Sequence, residues 1–129
     1  MTQSRHSVEA APTMNGAFDF GALELRPSEG LALADGVAVH LSVREFGLLV
    51  EPARNDGRIV RREALYESVW GEPLRPGDRT VDVYVRRLRV KLAQVLPKWS
   101  FIHTHVGFGY RFAPTDEIDG TKAALASAL

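Results

Sequence analysis

Residues 79–92 constrain this chain most, because one regular structure separates their side chains into two chemically different faces. At 3.6 residues per turn, four apolar side chains fall in one narrow stripe: Val81, Val85, Leu88 and Leu92. The opposite face has no carboxylate and consists of Arg79, Val83, Arg86, Arg87 and Val90. Asp82 and Arg89 fall on one flank. Tyr84 and Lys91 fall on the other. The segment predicts an amphipathic helix with a core-facing stripe and an arginine-rich outer face.

The arginine-rich face has two interpretations. Basic residues on a helix most often form a solvated face, but such a face normally mixes charge signs and uses strong helix formers. Here two β-branched valines lie where burial would gain them nothing. An arginine fork suits phosphates and guanine edges, and a small apolar side chain can touch a thymine methyl. The face therefore favours insertion into the major groove of DNA over plain solvation.

The composition is that of one ordinary globular domain. The chain has 129 residues, of which 45% are hydrophobic and 25% are charged. With no cysteine, a disulfide framework, a thiolate zinc site and a cysteine nucleophile are excluded. No apolar run approaches a membrane span, and the first residues lack the apolar region of a signal peptide. We expect a cytoplasmic protein with no membrane contact.

A formal net charge of zero is unusual for a protein that binds nucleic acid, but the charges are unevenly distributed along this chain. Residues 1–53 hold 3 Lys or Arg against 7 Asp or Glu, residues 54–91 hold 10 against 6, and residues 92–129 hold 3 of each. Charges separated by more than about 8–10 Å are largely screened, so the local balance governs contact with phosphate. The middle third is the predicted basic region.

The first part of the chain predicts an arm followed by a sheet. Residues 1–17 are small and polar and predict a flexible N-terminal arm or linker. Residues 18–41 alternate between short β-type runs and turn residues. Asp35 and Gly36 separate two of these runs, which is a strong hairpin signal. We expect a small antiparallel sheet with one apolar face.

The first helix has an explicit start and a proline close to its predicted end. Ser42 and Glu45 have the spacing of a capping box, and Leu41 and Phe46 that of a hydrophobic staple. Pro52 conflicts with a helix interior, where it costs about 3 kcal/mol. The helix is therefore predicted to kink or stop near residue 50, or to have a distorted last turn before residue 57.

The rest of the sequence predicts two more helices followed by a β-hairpin. A second helix is predicted from Arg62 to Trp70, and Asp78 is a suitable N-cap for the arginine-rich helix. Residues 101–106 alternate like a strand, residues 107–109 turn, and residues 110–112 return. Three helices followed by a hairpin predict an α+β winged helix-turn-helix whose third helix contacts DNA.

Four segments, in order and spacing, also resemble the effector domain of OmpR/PhoB-type response regulators. They are Leu41-Ser42-x-x-Glu45-Phe46-x-Leu48-Leu49, Gly57-x-x-Val60-x-Arg62-Glu63-x-Leu65-x-x-x-Val69-Trp70-Gly71, the helix at 79–92, and Gly107-x-Gly109-Tyr110-Arg111-Phe112. The resemblance covers residues 18–113. It implies a four-stranded N-terminal antiparallel sheet, a three-helix core and a C-terminal β-hairpin wing, with residues 114–129 as a tail.

The resemblance further implies a sequence-specific transcriptional regulator that binds double-stranded promoter DNA, often as a head-to-tail pair. The loop from Glu72 to Gly77 is where some members of the family touch RNA polymerase. No cofactor is implied. The predicted DNA-binding residues are Arg61, Arg62, Trp70, Arg79, Thr80, Val83, Tyr84, Arg86, Arg87, Arg89, Lys91 and Arg111.

This sequence departs from the family pattern in three places besides Pro52. Val106 occupies the wing position that commonly carries a basic residue for the minor groove, which leaves Arg111 or His105 as substitutes. Arg61 stands where the second helix is often capped by Ser, and a cation there weakly opposes the helix dipole. A receiver domain does not fit into residues 1–17, so we expect an effector domain alone.

Several residues also have structural interpretations. Asp82 precedes Arg86 by four residues, so an ion pair between them is expected. Trp70 is expected to pack on the core with one edge at the surface, and Trp99 to cover the end of the third helix. Tyr110 and Phe112 are expected to anchor the wing to the body of the domain.

Two other functions are less favoured than DNA binding. One is a winged-helix interaction module that contacts RNA polymerase or another regulator. The other is a metal sensor built on His103 and His105, although two ligands do not make a site. An enzyme is not expected, because no motif places a nucleophile beside a base.

Overall fold

Residues 16–116 are described by our computed structural model of the chain. Along this stretch the elements are β1 (Phe18–Asp19), β2 (Leu23–Arg26), a 3-10 turn (Pro27–Glu29), β3 (Leu31–Ala34), β4 (Val37–Ala38), α1 (Val43–Arg54), β5 (Ile59–Val60), α2 (Arg62–Trp70), α3 (Thr80–Val95), β6 (Trp99–His105) and β7 (Gly109–Asp116). The predicted arm therefore lies outside the described residues up to residue 15, as does the predicted tail from residue 117.

The N-terminal sheet is antiparallel, with strand order β1-β2-β3-β4. Asp35 and Gly36 have φ angles of 48° and 82° and form the two-residue turn between β3 and β4. Two positive φ values in succession are what such a hairpin turn requires. The side chains of one face are buried, namely Leu23, Leu25, Ala32 and Ala34. The predicted sheet and hairpin are confirmed.

Helix α1 begins with the predicted capping box. The Glu45 amide donates to Ser42 Oγ at 3.1 Å, and the Ser42 amide donates to Glu45 Oε1 at 2.8 Å. These two bonds satisfy backbone donors that have no partner inside the helix. The start of α1 is therefore determined locally, by residues within one turn of each other.

Pro52 lies inside α1, which ends at Arg54 and does not stop near residue 50. The buried proline ring joins the core, and this burial offsets the backbone hydrogen bond that it removes. The last turn is tightened, because the Asn55 amide donates to the Pro52 carbonyl at 3.0 Å. The Asn55 side chain also donates to the Glu51 carbonyl at 2.7 Å. The predicted alteration of the last turn is therefore observed, and the predicted stop near residue 50 is not.

Helix α2 has its predicted bounds and ends at Gly71, whose φ of 82° gives a left-handed cap. Helix α3 starts one residue later than predicted, so Arg79 and not Asp78 is its N-cap. Asp78 still supports the helix start, because its carboxylate accepts the Thr80 amide at 2.9 Å and the Thr80 hydroxyl. These bonds from Thr80 lower the pKa of Asp78.

The wing is a three-stranded antiparallel sheet of order β5-β7-β6. The predicted hairpin is β6 and β7, whereas β5, only two residues long, was not predicted. Gly109 has a φ of 148°, and a Cβ there would lie 2.1 Å from the Val60 carbonyl oxygen. Only glycine therefore allows β7 to approach β5. Strand β7 runs to Asp116, three residues past the expected boundary at 113.

The core is one cluster shared by both sheets and all three helices. The predicted stripe of α3 lies inside it, with exposed fractions of 0% for Val81, 1% for Val85, 0% for Leu88 and 3% for Leu92. Phe20 and Phe112 meet with ring centroids 4.7 Å apart and join the N-terminal sheet to the wing. Burial of α3 on one side therefore determines which side it presents outward.

Candidate nucleic-acid interface

The outer face of α3 is open to solvent over the described part of the chain. Val83 and Val90 are 45% and 52% exposed, and the Arg79 side chain is 71% exposed. Arg86 and Arg87 are exposed as well. The sequence-predicted outer face is confirmed. It combines guanidinium groups with small apolar surfaces.

Asp82 ties α3 to the wing and to α2. Its carboxylate accepts a hydrogen bond from the Tyr110 hydroxyl and lies 3.3 Å from Arg62 Nε and 3.4 Å from Arg79 Nη1. The expected Asp82–Arg86 ion pair is therefore wrong. Asp82 sits on the flank that faces the wing, where a hydroxyl and two guanidiniums meet it. Burial and the hydrogen bond to Asp82 raise the pKa of Tyr110 to about 12.

Arg89 lies on the same flank and contacts strand β6. Its Nη1 donates to the Ile102 carbonyl at 3.1 Å, and its Nη2 donates to Thr104 Oγ1 at 2.8 Å. The guanidinium also lies 5.6 Å from the centroid of the Tyr110 ring. Arg89 was predicted to contact DNA, and the structure places it in a contact that holds the wing against α3.

Lys91 lies on the opposite flank, where its Nζ is 2.7 Å from Glu45 Oε1. Burial raises the pKa of Glu45, but hydrogen bonds from Lys91 and the Ser42 amide outweigh it and hold the pKa below its ordinary value. Lys91 thus neutralises a buried carboxylate. Arg89 and Lys91 were both predicted to contact DNA, and the structure bonds both to groups of the protein itself.

Trp70 lies between α2 and α3 and is half-buried, as expected. Tyr66 stacks on it at 4.8 Å between centroids, and Tyr84 meets it edge-on at 5.2 Å. Arg44 lies 5.0 Å above the Trp70 ring, and Arg87 lies 5.0 Å from the Tyr84 ring. Arg44 was not predicted at this surface, because only the crossing of α1 and α2 brings it to Trp70.

The start of α2 adds two more cations beside the N-terminal end of α3. Arg61 is 72% exposed and pairs with Glu63 at 3.6 Å, whereas Arg62 is directed to Asp82. Together with Arg79 and the wing residues Thr104 to Val106, Arg62 and Asp82 line a small cleft. The structure thus gathers the predicted residues of α2, α3 and the wing around one edge of the domain.

The tip of the wing is apolar. Val106 and Phe108 are 87% and 66% exposed. Arg111 Nε donates to His105 Nε2 at 3.2 Å, so the two predicted substitutes for the wing cation contact each other. Both flank the base of the tip.

The His103 ring contacts the protein backbone. Its Nε2 donates to the Ala113 carbonyl at 2.7 Å, and burial lowers its pKa. Residues 16–116 contain no group of three or more potential ligands able to hold a metal ion. None of their helices combines the length and the apolarity needed to cross a bilayer.

A three-helix core, a wing and an exposed arginine-rich third helix define a winged helix-turn-helix domain. Residues 36–112 match the family described as "Transcriptional regulatory protein, C terminal", and the chain belongs to this family. This confirms the resemblance to the OmpR/PhoB-type effector domain that the sequence motifs indicated.

Relatives and solved structures agree with this assignment. The transcriptional regulatory protein SrrA of Staphylococcus aureus is 34% identical over 112 residues, which cover 86% of this chain and 46% of SrrA. The DNA-binding domain of CpxR from E. coli superposes with a TM-score of 0.68 and 33% identity, over 74% of this chain and 94% of that domain. The chain spans about half the length of the curated relatives it matches.

The Klebsiella pneumoniae RstA DNA-binding domain was solved in complex with the RstA box. It superposes with a TM-score of 0.67 and 35% identity, over 75% of this chain and 96% of that domain. The response regulator DrrB of Thermotoga maritima, an OmpR/PhoB homologue, gives a TM-score of 0.65 at 34% identity, over 76% of this chain and 44% of DrrB.

Proposed function

We propose that this protein is a sequence-specific regulator of transcription that inserts the outer face of α3 into the major groove of promoter DNA. The observation that carries the proposal is the composition of that face. It presents Arg79, Arg86 and Arg87 with Val83 and no carboxylate, while the reverse side of the helix is buried in the core. The RstA domain, which shares this fold, was solved on its own DNA box.

We assign base recognition to Arg86 and Val83 at the centre of the exposed face. Arg86 makes no hydrogen bond or ion pair with any residue in the described range, so its guanidinium is available for a guanine edge. Val83 offers an apolar contact for a thymine methyl. Arg79 stands at the first turn, where contacts to phosphate are commoner than contacts to bases.

Phosphate contacts are proposed for the residues around this centre. Arg61, Trp70, Thr80, Tyr84 and Arg87 border the face and keep part of their surface exposed. The four half-buried cations, Arg62, Arg89, Lys91 and Arg111, bond to protein groups, so their contribution to DNA binding is the placement of α2, α3 and the wing. This divides the predicted residues into contacts and supports.

Further parts of the proposal concern partners. The loop from Glu72 to Gly77 is exposed except at Leu74 and offers a surface for RNA polymerase. Two copies bound head to tail on direct repeats would read a longer site than one copy.

The mode of action is binding, not catalysis. Because bacterial promoters lie in the cytoplasm, the proposal includes that location.

A charge placed on the outer face tests the proposal. Val83→Glu puts a carboxylate where DNA would lie, and like charges at an interface cost several kcal/mol. We expect at least tenfold weaker binding to a duplex site selected from a random pool. Val95→Glu is the matched control, because Val95 is 43% exposed on the same helix but lies at its C-terminal end.

The affinity of the unmodified protein should also fall steeply with salt, with a slope of about −0.9 per phosphate contact on a logarithmic plot. Equal binding by the two valine variants would remove α3 from the mechanism. No retention on mixed-sequence duplex DNA at low salt would instead favour the winged-helix interaction module.

A further inference from the structure

Four side chains from three helices form a continuous stack beside the outer face of α3. The Arg44 guanidinium carbon lies 5.0 Å from the Trp70 ring centroid, Trp70 lies 5.2 Å from Tyr84, and the Arg87 guanidinium carbon lies 5.0 Å from Tyr84. An arginine over an aromatic face gains cation–π stabilisation. The stack therefore places one guanidinium at each of its ends, one from α1 and one from α3.

The stack reduces the freedom of both arginines without covering their charge. Tyr66 supports Trp70 from α2 at 4.8 Å in a nearly parallel arrangement, 4° between planes. Arg44 and Arg87 remain exposed. A guanidinium that is already positioned loses less conformational entropy when it binds an anion. The guanidinium groups at both ends of the stack are thus positioned to bind an anionic ligand at the surface.

A groove runs between the start of α1 and the outer face of α3, next to this stack. Its floor and rim are formed by Ser42, Val43, Arg44, Glu45, Val83, Tyr84, Arg86, Arg87, Val90, Lys91 and Gln94. Glu45 is its one carboxylate and is already paired with Lys91. Three arginines are left to face a ligand. Val43, 85% exposed, adds an apolar surface at the start of α1.

We infer that one strand of the bound duplex runs along this groove and that Arg44 contacts its phosphates. A nucleic-acid strand alternates charged phosphates with largely apolar sugars, and the groove offers arginines and valines in the same way. The groove is continuous with the face assigned to the major groove, because Val83, Arg86 and Val90 line both. The inference rests on the proposed function and adds α1 to the interface.

The test compares two arginines of α1. Arg44→Ala removes the proposed contact. Arg54→Ala is the matched control, because Arg54 is also exposed, ends the same helix, lies 5.8 Å from the Phe18 ring and does not line the groove. Affinities of the full chain for a mixed-sequence duplex and for a selected site are measured by fluorescence titration over a series of salt concentrations.

We expect Arg44→Ala to reduce the magnitude of the salt slope by about 0.9, so that a fourfold rise in salt weakens it about threefold less than the unmodified protein. The loss of affinity should be the same factor on both duplexes, because a phosphate contact does not depend on sequence. Arg44→Lys should restore the slope, and Arg54→Ala should leave it unchanged. Thermal unfolding of each variant confirms that it is folded.

The inference is overturned if Arg44→Ala keeps the unmodified slope while the unmodified protein binds DNA normally. It is also overturned if polyglutamate binds the groove and loses affinity with Arg44→Ala while duplex DNA does not, since the occupant would then be an acidic protein segment. Failure of the unmodified protein to bind any duplex would instead refute the proposed function itself.

Discussion

The basic residues of α3 fall into two groups that side-chain type does not distinguish. Arg89 and Lys91, on the flanks, are held by acceptors on β6 and α1. Arg86 and Arg87, on the outer face, bond to no carboxylate or carbonyl within residues 16–116. The flank residues stabilise the domain and the outer ones are free for a ligand. Basic residues of this helix thus serve its own attachment as well as the proposed contact with DNA.

Removing the acceptor on the wing-facing flank should have the largest effect on stability. Asp82→Ala takes away the partner of Tyr110, Arg62 and Arg79, and we expect about 2–3 kcal/mol lower free energy of unfolding. Urea denaturation measures it. Asp82→Asn, which keeps an oxygen acceptor but loses the charge, should fall between. If Asp82→Ala is as stable as the unmodified protein, this flank does not anchor α3.

The outer arginines should behave in the opposite way. Arg86→Ala and Arg87→Ala should each weaken binding to a selected DNA site by about 1–3 kcal/mol if they contact it directly. Their free energies of unfolding should change by less than about 0.5 kcal/mol, as at most surface sites. Titration and urea denaturation of the same samples give both values. A variant that loses stability but not affinity would reverse the division between the groups.

Arg89→Ala should destabilise the domain by about 1–2 kcal/mol, because two hydrogen bonds to β6 are lost. Arg89→Met keeps most of the packing of the side-chain stem and isolates the loss of the guanidinium. Both variants are compared by urea denaturation. Equal stability of Arg89→Met and the unmodified protein would show that the stem, not the bonds to β6, matters here.

The dependence of stability on high pH tests the wing-facing flank of α3, because Tyr110 bonds to Asp82 there. Its pKa is raised from 10.0 to about 12 in the folded protein, so the unfolded chain loses this proton first. The contribution of the protonated Tyr110 hydroxyl to the free energy of unfolding is fully present below pH 10 and is lost as the pH rises through about 12. Tyr110→Phe should show a smaller decline in melting temperature over this interval. A decline of the same size in Tyr110→Phe would assign it to other groups.

The smallest effect is expected at His103, in the wing. Burial lowers its pKa below 6.5, so the unfolded chain takes up a proton before the folded protein does. The contribution of His103 to stability should therefore be constant above neutral pH and should fall as the pH drops below 6.5. Melting curves of the unmodified protein and His103→Gln between neutral and mildly acidic pH measure the difference, and parallel curves would contradict the assignment.

The sequence predicted those features that depend on neighbours in the chain. The capping box of α1, the turn at Asp35 and Gly36, and the buried stripe of α3 were predicted from residue type and spacing alone. Strand β5 was missed because a two-residue strand has no period and is defined only by its partner β7. Arg44 was missed for a similar reason, since its place beside Trp70 depends on how two helices cross.

The distribution of apolar and charged residues along the chain determined that α3 forms, which side it buries and which side it presents, because helical periodicity is a local property. The partners of Asp82, Arg89 and Lys91 were decided only by the tertiary structure. Apart from Arg79, which is three residues from Asp82, their acceptors and donors lie 13 to 46 positions away in the chain, among them Ile102, Tyr110 and Glu45. Packing determines which distant groups come within reach of a long polar side chain. The spacing of residues along the chain does not reveal those groups.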